Sequence, residues 1–142
     1  MSLQTVLLAV GESETDQIEQ LAETAIDIAG PAGATVALAH VFSEDAYDDA
    51  RERLQFDPDS EVTPSVVAER LDEAGVDHAV HARLGDGSTD GDRFAELAAE
   101  IEADLVIVGG RGRTPAGKAV FGSTAQTIML NAPCPVTFVR TE

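Results

Sequence analysis

The chain has 142 residues, the size of one domain with one hydrophobic core, and 44% of them are hydrophobic although only 4% are aromatic. Its formal net charge of −17 argues against nucleic acid and anionic membranes as partners, because neutralising phosphates requires a basic face. No apolar run reaches the length of a membrane span, about 18 residues, and no secretory signal is visible, so we expect a cytoplasmic protein. We expect a single domain, residues 1–142. Cys134 is the single cysteine, so an internal disulfide is not expected.

The basic residues are few, and almost none of them is lysine. Against 26 Asp and Glu there are nine Lys and Arg, and Lys118 is the only lysine. Such a composition is typical of proteins that work in molar salt, where screening removes the self-repulsion of a compact acidic chain. We therefore favour a salt-adapted origin; the alternative is an ordinary acidic bacterial protein.

Five short β-like runs alternate with helical patterns along the chain. Residues 6–10 and 105–108 are continuously apolar, which indicates central strands covered on both faces. The alternation predicts an α/β fold with a doubly wound parallel sheet, right-handed crossovers and helices on both faces. The predicted strands are residues 5–10, 34–41, 76–84, 104–109 and 135–140.

Caps and breakers delimit the helices. Ser13 and Asp16 resemble a capping box at the start of the first helix, and Gly30-Pro31 is expected to stop it. The second helix is expected to begin with Thr63-Pro64 as cap and first position and to end at Gly75. Three helices have an apolar stripe that is predicted to face the core. In the first helix it consists of Ile18, Leu21, Ala22, Ala25 and Ala29. In the third helix it consists of Phe94, Leu97, Ala98 and Ile101, and in the fourth of Ala125, Ile128, Met129 and Ala132.

The most informative stretch is the one without acids. No Asp or Glu occurs between Asp104 and Glu142, and the cations there are Arg111, Arg113, Lys118 and Arg140. A glycine-rich loop, residues 109–117, follows a buried strand, where backbone N–H groups can approach an anion closely. The fourth helix begins just beyond this loop, with free amides that favour phosphate. We interpret the region as an anion site; the alternative is a loop that needs glycine only for its backbone angles.

Two motifs compete for this loop. The spacing Gly112-x4-Gly117-Lys118 fits the start of a P-loop, but Ala119 occupies the position where Ser or Thr would hold Mg²⁺. The spacing Gly109-x2-Gly112-x9-Gly122-Ser123 instead resembles the ATP-binding pattern of the universal stress protein family. Residues 103–108 and 131–136 resemble the flanking strands of that family, and the order of elements agrees over essentially the whole chain.

The resemblance implies a Rossmann-like sheet of order 3-2-1-4-5 and ATP as the ligand, with any Mg²⁺ arriving on the nucleotide. It implies phosphate and ribose contacts at Gly109, Gly112, Gly122 and Ser123, with Thr124 adjoining. Arg113 corresponds to a basic residue after the second glycine, and Val41 to the position that faces adenine at the end of the second strand. The other nucleotide contacts expected on this basis are Ala9, Val10, Gly11, Val108 and Arg111.

One departure from the family pattern leaves the function open. Where the family carries Asp at the end of the first strand, this chain has Gly11, followed by Glu12. Either Glu12 substitutes, or binding is weaker, or selectivity differs. We expect an ATP-binding protein that acts through its nucleotide-bound state with little or no turnover. The alternatives are an interaction protein that has lost nucleotide binding and an enzyme that transfers adenylyl or phosphoryl groups.

The last strand, residues 135–140, predicts a homodimer. It contains no lysine and no acid, and in the implied strand order it lies at an edge of the sheet. An exposed apolar edge invites pairing, so we expect two copies to pair antiparallel through this strand. The alternative is that the acidic connection 43–61 covers the edge within one chain.

Several residues that resemble chemical sites are interpreted as structural. The run that begins at Asp86 imitates a calcium-binding loop but places Leu97 where a bidentate Glu is needed, so we expect a cap for the third helix. His78 and His81 should point to opposite faces of a strand, and His40 is interpreted as packed or solvated. Cys134 is expected to be an inert packed thiol.

Overall fold

The computed structural model describes residues 3–10, 15–43, 62–85, 90–110 and 123–140. Within these ranges strands and helices alternate as the sequence predicts. The elements are β1 (Thr5–Val10), α1 (Thr15–Ala32), β2 (Thr35–Ser43), α2 (Val62–Glu73), β3 (His78–Gly85), α3 (Asp90–Glu100), β4 (Leu105–Gly110), α4 (Ser123–Asn131) and β5 (Val136–Arg140).

The strands form one parallel sheet of order β3-β2-β1-β4-β5, which confirms the predicted order. In this sheet β1 lies between β2 and β4, with Ala9 opposite Ala39 on one side and Val108 on the other. From β1 the chain continues outward through β2 to β3, whereas β4 and β5 extend the sheet in the other direction. The switch in direction falls between β1 and β4, which is where doubly wound sheets offer a crevice to ligands.

The core lies on both faces of β1 and β4, as expected for central strands. Side chains alternate between the two faces, so that Leu8 and Ile107 pack with α1 and α2, and Leu7 and Val106 pack with α3 and α4. The inward stripe of α1 and the stripe Phe94, Leu97 and Ala98 of α3 are buried, as predicted.

The end of α1 differs from the prediction, since Gly30-Pro31 does not stop the helix. Pro31 lies in the last turn, where the missing N–H removes only one hydrogen bond. The helix ends instead at Gly33, whose φ of 67° is a left-handed conformation. The Gly33 amide donates to the Gly30 carbonyl (3.1 Å) and the Ala34 amide to the Ala29 carbonyl (3.0 Å), which is a Schellman cap.

The same cap explains why two strands begin later than their apolar pattern predicts. Gly75, with φ of 71°, ends α2 as predicted, and Glu102, with φ of 53°, closes α3 in the same way. The amides of Ala34 and Val76 donate to helix carbonyls in these caps, so they are not available to the sheet. As a result β2 begins after Ala34 and β3 after Val76.

Two further details of the helices correct the sequence interpretation. Helix α2 begins at Val62, so Thr63-Pro64 lies inside its first turn, where backbone N–H groups have no partner within the helix and proline is tolerated. In α4 the predicted inward residue Met129 is 37% exposed, because one step beyond the buried Ile128 rotates a side chain by about 100°. The predicted capping box at Ser13 lies outside the described residues.

Asp104 ties β4 to β1 at the amino edge of the sheet. Its Oδ2 accepts hydrogen bonds from the amides of Gln4 (2.9 Å) and Thr5 (3.1 Å), and its own amide donates to the Thr5 carbonyl (2.8 Å). Because the two amides stabilise the charged carboxylate, they hold the pKa of Asp104 below its ordinary value of 3.8.

This lowered pKa predicts the effect of acid on stability. A carboxylate whose pKa is lower in the folded than in the unfolded chain stabilises the fold above pH 3.8, and that contribution is lost as the pH falls through the folded pKa. Asp104→Asn should therefore lower the melting temperature at pH 7, and the difference from wild type should shrink as the pH falls below 4. Thermal melts of the wild type and the variant between about pH 3 and pH 7 test this expectation. Asp27→Asn, at an exposed position, is the control. A difference that is independent of pH would contradict the role of the charge.

Candidate functional site

The candidate site lies at the carboxyl edge of the sheet, between β1 and β4. β1 ends there at Val10, and β4 ends at Gly109 and Gly110. α4 begins at Ser123, on the segment that follows β4. The central crevice of a doubly wound sheet and the N-terminus of a helix therefore belong to one stretch of chain, residues 105–131, which contains no acid.

The side chains at the ends of β1 and β4 belong to the core. Ala9 and Val108 are paired in register and are each 4% exposed, packed in the cluster beneath α3 and α4. Val10 is fully buried on the opposite face, in the cluster with α1 and α2. A ligand at this edge can therefore meet only the backbone of these three residues, so their contribution to a site is shape and peptide groups.

Gly109 has a packing reason for being glycine that the sequence did not reveal. A Cβ at this position would lie 2.7 Å from Cδ2 and 3.1 Å from Cδ1 of Leu21, a buried residue of α1. Real side chains do not tolerate the shorter of these distances without moving a neighbour. The glycine therefore lets α1 lie directly on the end of β4, and it leaves the β4 backbone at the crevice without a side chain.

The N-terminus of α4 supplies the hydrogen-bond donors of the site. Ser123 is its first residue and Thr124, half-buried, follows in the first turn, where the backbone amides lack partners within the helix. These amides and the helix dipole give the end a partial positive charge. No acidic side chain occurs in this first turn, so nothing there competes with an anion for the amides.

Arg140 lies at the same edge and was not among the predicted contacts. It is the last residue of β5 and is paired in register with Gly110, the last residue of β4. Its exposed guanidinium therefore adds a positive charge one strand away from the crevice. The sequence signal that could have found it is the one that marked the loop, since Arg140 belongs to the same acid-free stretch.

Val41, another predicted contact, lies near the carboxyl end of β2, the neighbour of β1 in the sheet. Val41 is paired with Arg83 inside β2, which continues to Ser43, so Val41 does not end that strand as predicted. His40, its neighbour, is buried in the same strand. The remaining predicted contacts lie outside the described residues; they are Gly11, Arg111, Gly112, Arg113 and Gly122.

Within the described ranges, no group of three or more His, Cys, Asp or Glu could hold a metal ion. His78 and His81 are paired with Val36 and Ala39, which pack on opposite faces of the sheet, as predicted. Burial raises the pKa of the half-buried Cys134 thiol, and the nearby Asp104 charge adds to it, which keeps the thiol protonated and unreactive. Of the run 86–92 that imitates a calcium-binding loop, residues 86–89 lie outside the described part, and Asp90, Gly91 and Asp92 begin α3.

The described helices include none long and apolar enough to cross a membrane. The parallel sheet of order β3-β2-β1-β4-β5 with helices between its strands defines a doubly wound α/β domain of Rossmann-like topology. A sequence model described as "Universal stress protein family" matches residues 2–140. The chain therefore belongs to the universal stress protein family.

Individual relatives agree with this assignment. A Staphylococcus aureus protein, named as a universal stress protein, is 40% identical over 63 residues, which are 44% of this chain and 38% of the relative. The chain thus matches less than half the length of the curated relatives it resembles.

Solved structures match over the full length. A universal stress protein from Archaeoglobus fulgidus is 24% identical with a TM-score of 0.76, covering 96% of this chain and 98% of its own. A universal stress protein in complex with cAMP is 25% identical with a TM-score of 0.69, covering 100% of both chains. An Archaeoglobus fulgidus universal stress protein in complex with dAMP is 22% identical with a TM-score of 0.69, covering 99% of this chain and 100% of its own.

Proposed function

We propose that this protein binds an adenine nucleotide at the carboxyl edge between β1 and β4 and acts in the cytoplasm through its nucleotide-bound state. The observation that carries the proposal is that β4, which ends in Gly109 and Gly110, and α4 both belong to the acid-free stretch 105–141. In a chain of net charge −17, a stretch of this length without acids is suited to an anion. Two universal stress proteins of the same fold hold cAMP and dAMP, which share adenine, a sugar and one phosphate.

We propose ATP as the preferred ligand, with Mg²⁺ carried by the nucleotide. The backbone of Gly112 and Gly122 and the first turn of α4 would hold the phosphates, with Arg111 and Arg113 as charge partners. The backbone at Ala9, Val10, Gly11, Val41 and Val108 would border the adenosine. Because Gly11 offers no carboxylate to the nucleotide, binding would depend chiefly on the phosphate contacts.

We also propose that the protein turns over its bound nucleotide little or not at all. Phosphoryl transfer to water needs a group that orients or deprotonates the nucleophile. The stretch from 105 to 141, which contains the whole phosphate loop, carries no Asp, Glu or His. A nucleotide held by backbone amides and arginines would be bound without being activated.

The experiment is calorimetric titration of the wild-type protein in molar KCl with ATP, AMP and GTP. We expect ATP and AMP to bind and GTP to bind far more weakly, with the bound ATP recovered intact. No heat with either adenine nucleotide, and no rise in melting temperature, would favour the interaction protein. Rapid conversion of ATP in the presence of an acceptor would favour the transferase.

We also propose a homodimer through β5. This strand is paired with β4 on one side, and along its other side no strand of the described chain is paired with it. Its residues are half-buried up to the exposed Arg140, and none is acidic or a lysine.

Val139→Asp tests the dimer. Opposed carboxylates near a two-fold axis repel each other, so the variant should have half the wild-type mass by light scattering in high salt. Val139→Thr is the matched control, since it keeps the shape without a charge and should remain dimeric. Circular dichroism confirms that both variants fold. A monomeric wild type, or a Val139→Asp protein that stays dimeric, would place the interface elsewhere.

A further inference from the structure

Helices α3 and α4 touch at their N-terminal ends through a glycine. Gly91, buried in the first turn of α3, lies so close to α4 that an added Cβ would be 2.5 Å from Cβ and 2.9 Å from Cγ2 of Thr127. The same Cβ would be 2.9 Å from the carbonyl oxygen of Thr124, in the first turn of α4. The backbone of α3 therefore rests directly on the start of α4.

The backbone conformation of α3 does not require this glycine. The glycines with positive φ among the described residues are Gly33 and Gly75, so Gly91 has a conformation open to any residue. Glycine inside a helix is about 1 kcal/mol less favourable than alanine. A comparison within the chain is Gly30 of α1, where an added Cβ would meet only Cγ2 of Val76 at an ordinary 3.9 Å. The missing side chain at Gly91 is thus explained by contact with α4.

The contact sets the position of the first turn of α4. Ala125 and Ile128 are buried against the sheet and fix the height of the helix above it. Thr124 and Thr127, on a neighbouring stripe of the helix, meet Gly91 and fix its rotation and its lateral position. The contact therefore also sets the position of the free backbone N–H groups at the start of α4.

We propose that Gly91 is a positioning residue for the nucleotide site: by carrying no side chain it lets α3 hold the first turn of α4 where its amides meet the phosphates. The inference rests on the proposed nucleotide binding and adds a residue that does not touch the ligand. Carbon atoms in contact are about 3.5–4.0 Å apart, so an alanine here displaces α4 by about 1 Å. A displacement of about 1 Å takes an N–H···O contact of about 2.9 Å beyond hydrogen-bond range, so the affinity for ATP should fall.

The test compares Gly91→Ala with Gly30→Ala by calorimetric titration with ATP, well below the melting temperature of each protein. Both variants make the same chemical change in a helix, but only at Gly91 would the added Cβ lie closer than 3.0 Å to another element of the fold. We expect the Kd for ATP to rise at least tenfold in Gly91→Ala and to stay within twofold in Gly30→Ala. A lowered melting temperature with an unchanged Kd would show that Gly91 serves the fold alone and would overturn the inference.

Relief of the clash gives a second measurement. Thr127→Gly removes both side-chain atoms nearest to Gly91, so adding it to Gly91→Ala should restore part of the affinity. This gain in affinity for ATP must exceed any gain that Thr127→Gly causes in the wild-type background. If the double variant binds no better than Gly91→Ala, the contact does not transmit the loss and the inference fails.

Hydrogen exchange of the wild type covers the case in which Gly91→Ala does not fold. With ATP bound, amides in the first turns of both α3 and α4 should be protected beyond those of α2, which packs on the other face of the sheet. Protection in α4 without protection in α3 would overturn the inference while leaving nucleotide binding intact. No ATP binding by the wild type would refute the proposed function itself, and the inference with it.

Discussion

Gly112→Val and Gly122→Val should each weaken ATP binding by about 100-fold while leaving the circular dichroism spectrum native. The physical reason is that phosphate oxygens held by backbone N–H groups must come closer than a branched side chain permits. Hydrogen bonds to a charged group contribute about 1.5–3 kcal/mol each, so the loss of one or two corresponds to a factor of about 100. Calorimetric titration in molar KCl measures the change.

Gly117→Val is the matched control for these two variants. It makes the same change in the same glycine-rich loop, but Gly117 belongs only to the competing P-loop spacing. We expect it to bind ATP as the wild type does. Loss of binding in Gly117→Val with normal binding in Gly112→Val and Gly122→Val would reverse the assignment of the phosphate contacts.

The second large effect concerns salt. With 26 acidic against nine basic residues, repulsion among surface carboxylates opposes the compact state in dilute buffer and is screened as salt is added. We expect the melting temperature to rise by about 10 °C between dilute buffer and molar KCl, which corresponds to about 3 kcal/mol for a chain of this size. Differential scanning calorimetry over a series of KCl concentrations measures it.

The shape of the salt series identifies the cause. The Debye length falls to about 10 Å at 0.1 M and about 3 Å at 1 M, so screening should be nearly complete by molar salt. A further steep rise beyond that concentration would indicate exclusion of the salt from the surface, and sucrose at matched osmolality would reproduce it. A flat series would mean that the acidic surface is not an adaptation to salt.

The architecture was predictable because the strongest signals are local and repeated. The apolar runs 6–10 and 105–108 can be buried on both faces only at the centre of a parallel sheet, and that is where β1 and β4 lie. Boundaries were less predictable, because Ala34 and Val76 are as apolar as strand residues. Their amides donate to carbonyls in helix caps instead. A pattern of hydrophobic residues does not predict to which carbonyl a backbone amide donates.

The site was predictable only as far as composition and glycine spacing reach. The acid-free stretch includes Gly110 and Arg140, which end β4 and β5 as register partners at the carboxyl edge of the sheet. The contact of Gly109 with Leu21 and that of Gly91 with Thr127 join residues far apart in sequence, so no local pattern contains them. Val41 was predicted to end the second strand, but β2 continues to Ser43, past the last clearly apolar alternation.

The strand order also determines when the core can be completed during synthesis. Among the five strands of this sheet β1 is synthesised first, yet its second neighbour, β4, begins only at Leu105. Until then the nascent chain can build only the half-sheet of β1, β2 and β3, with one apolar edge of its most buried strand open. A newly made chain is therefore most vulnerable to aggregation at its N-terminal strand, although that strand becomes the best protected part of the finished protein.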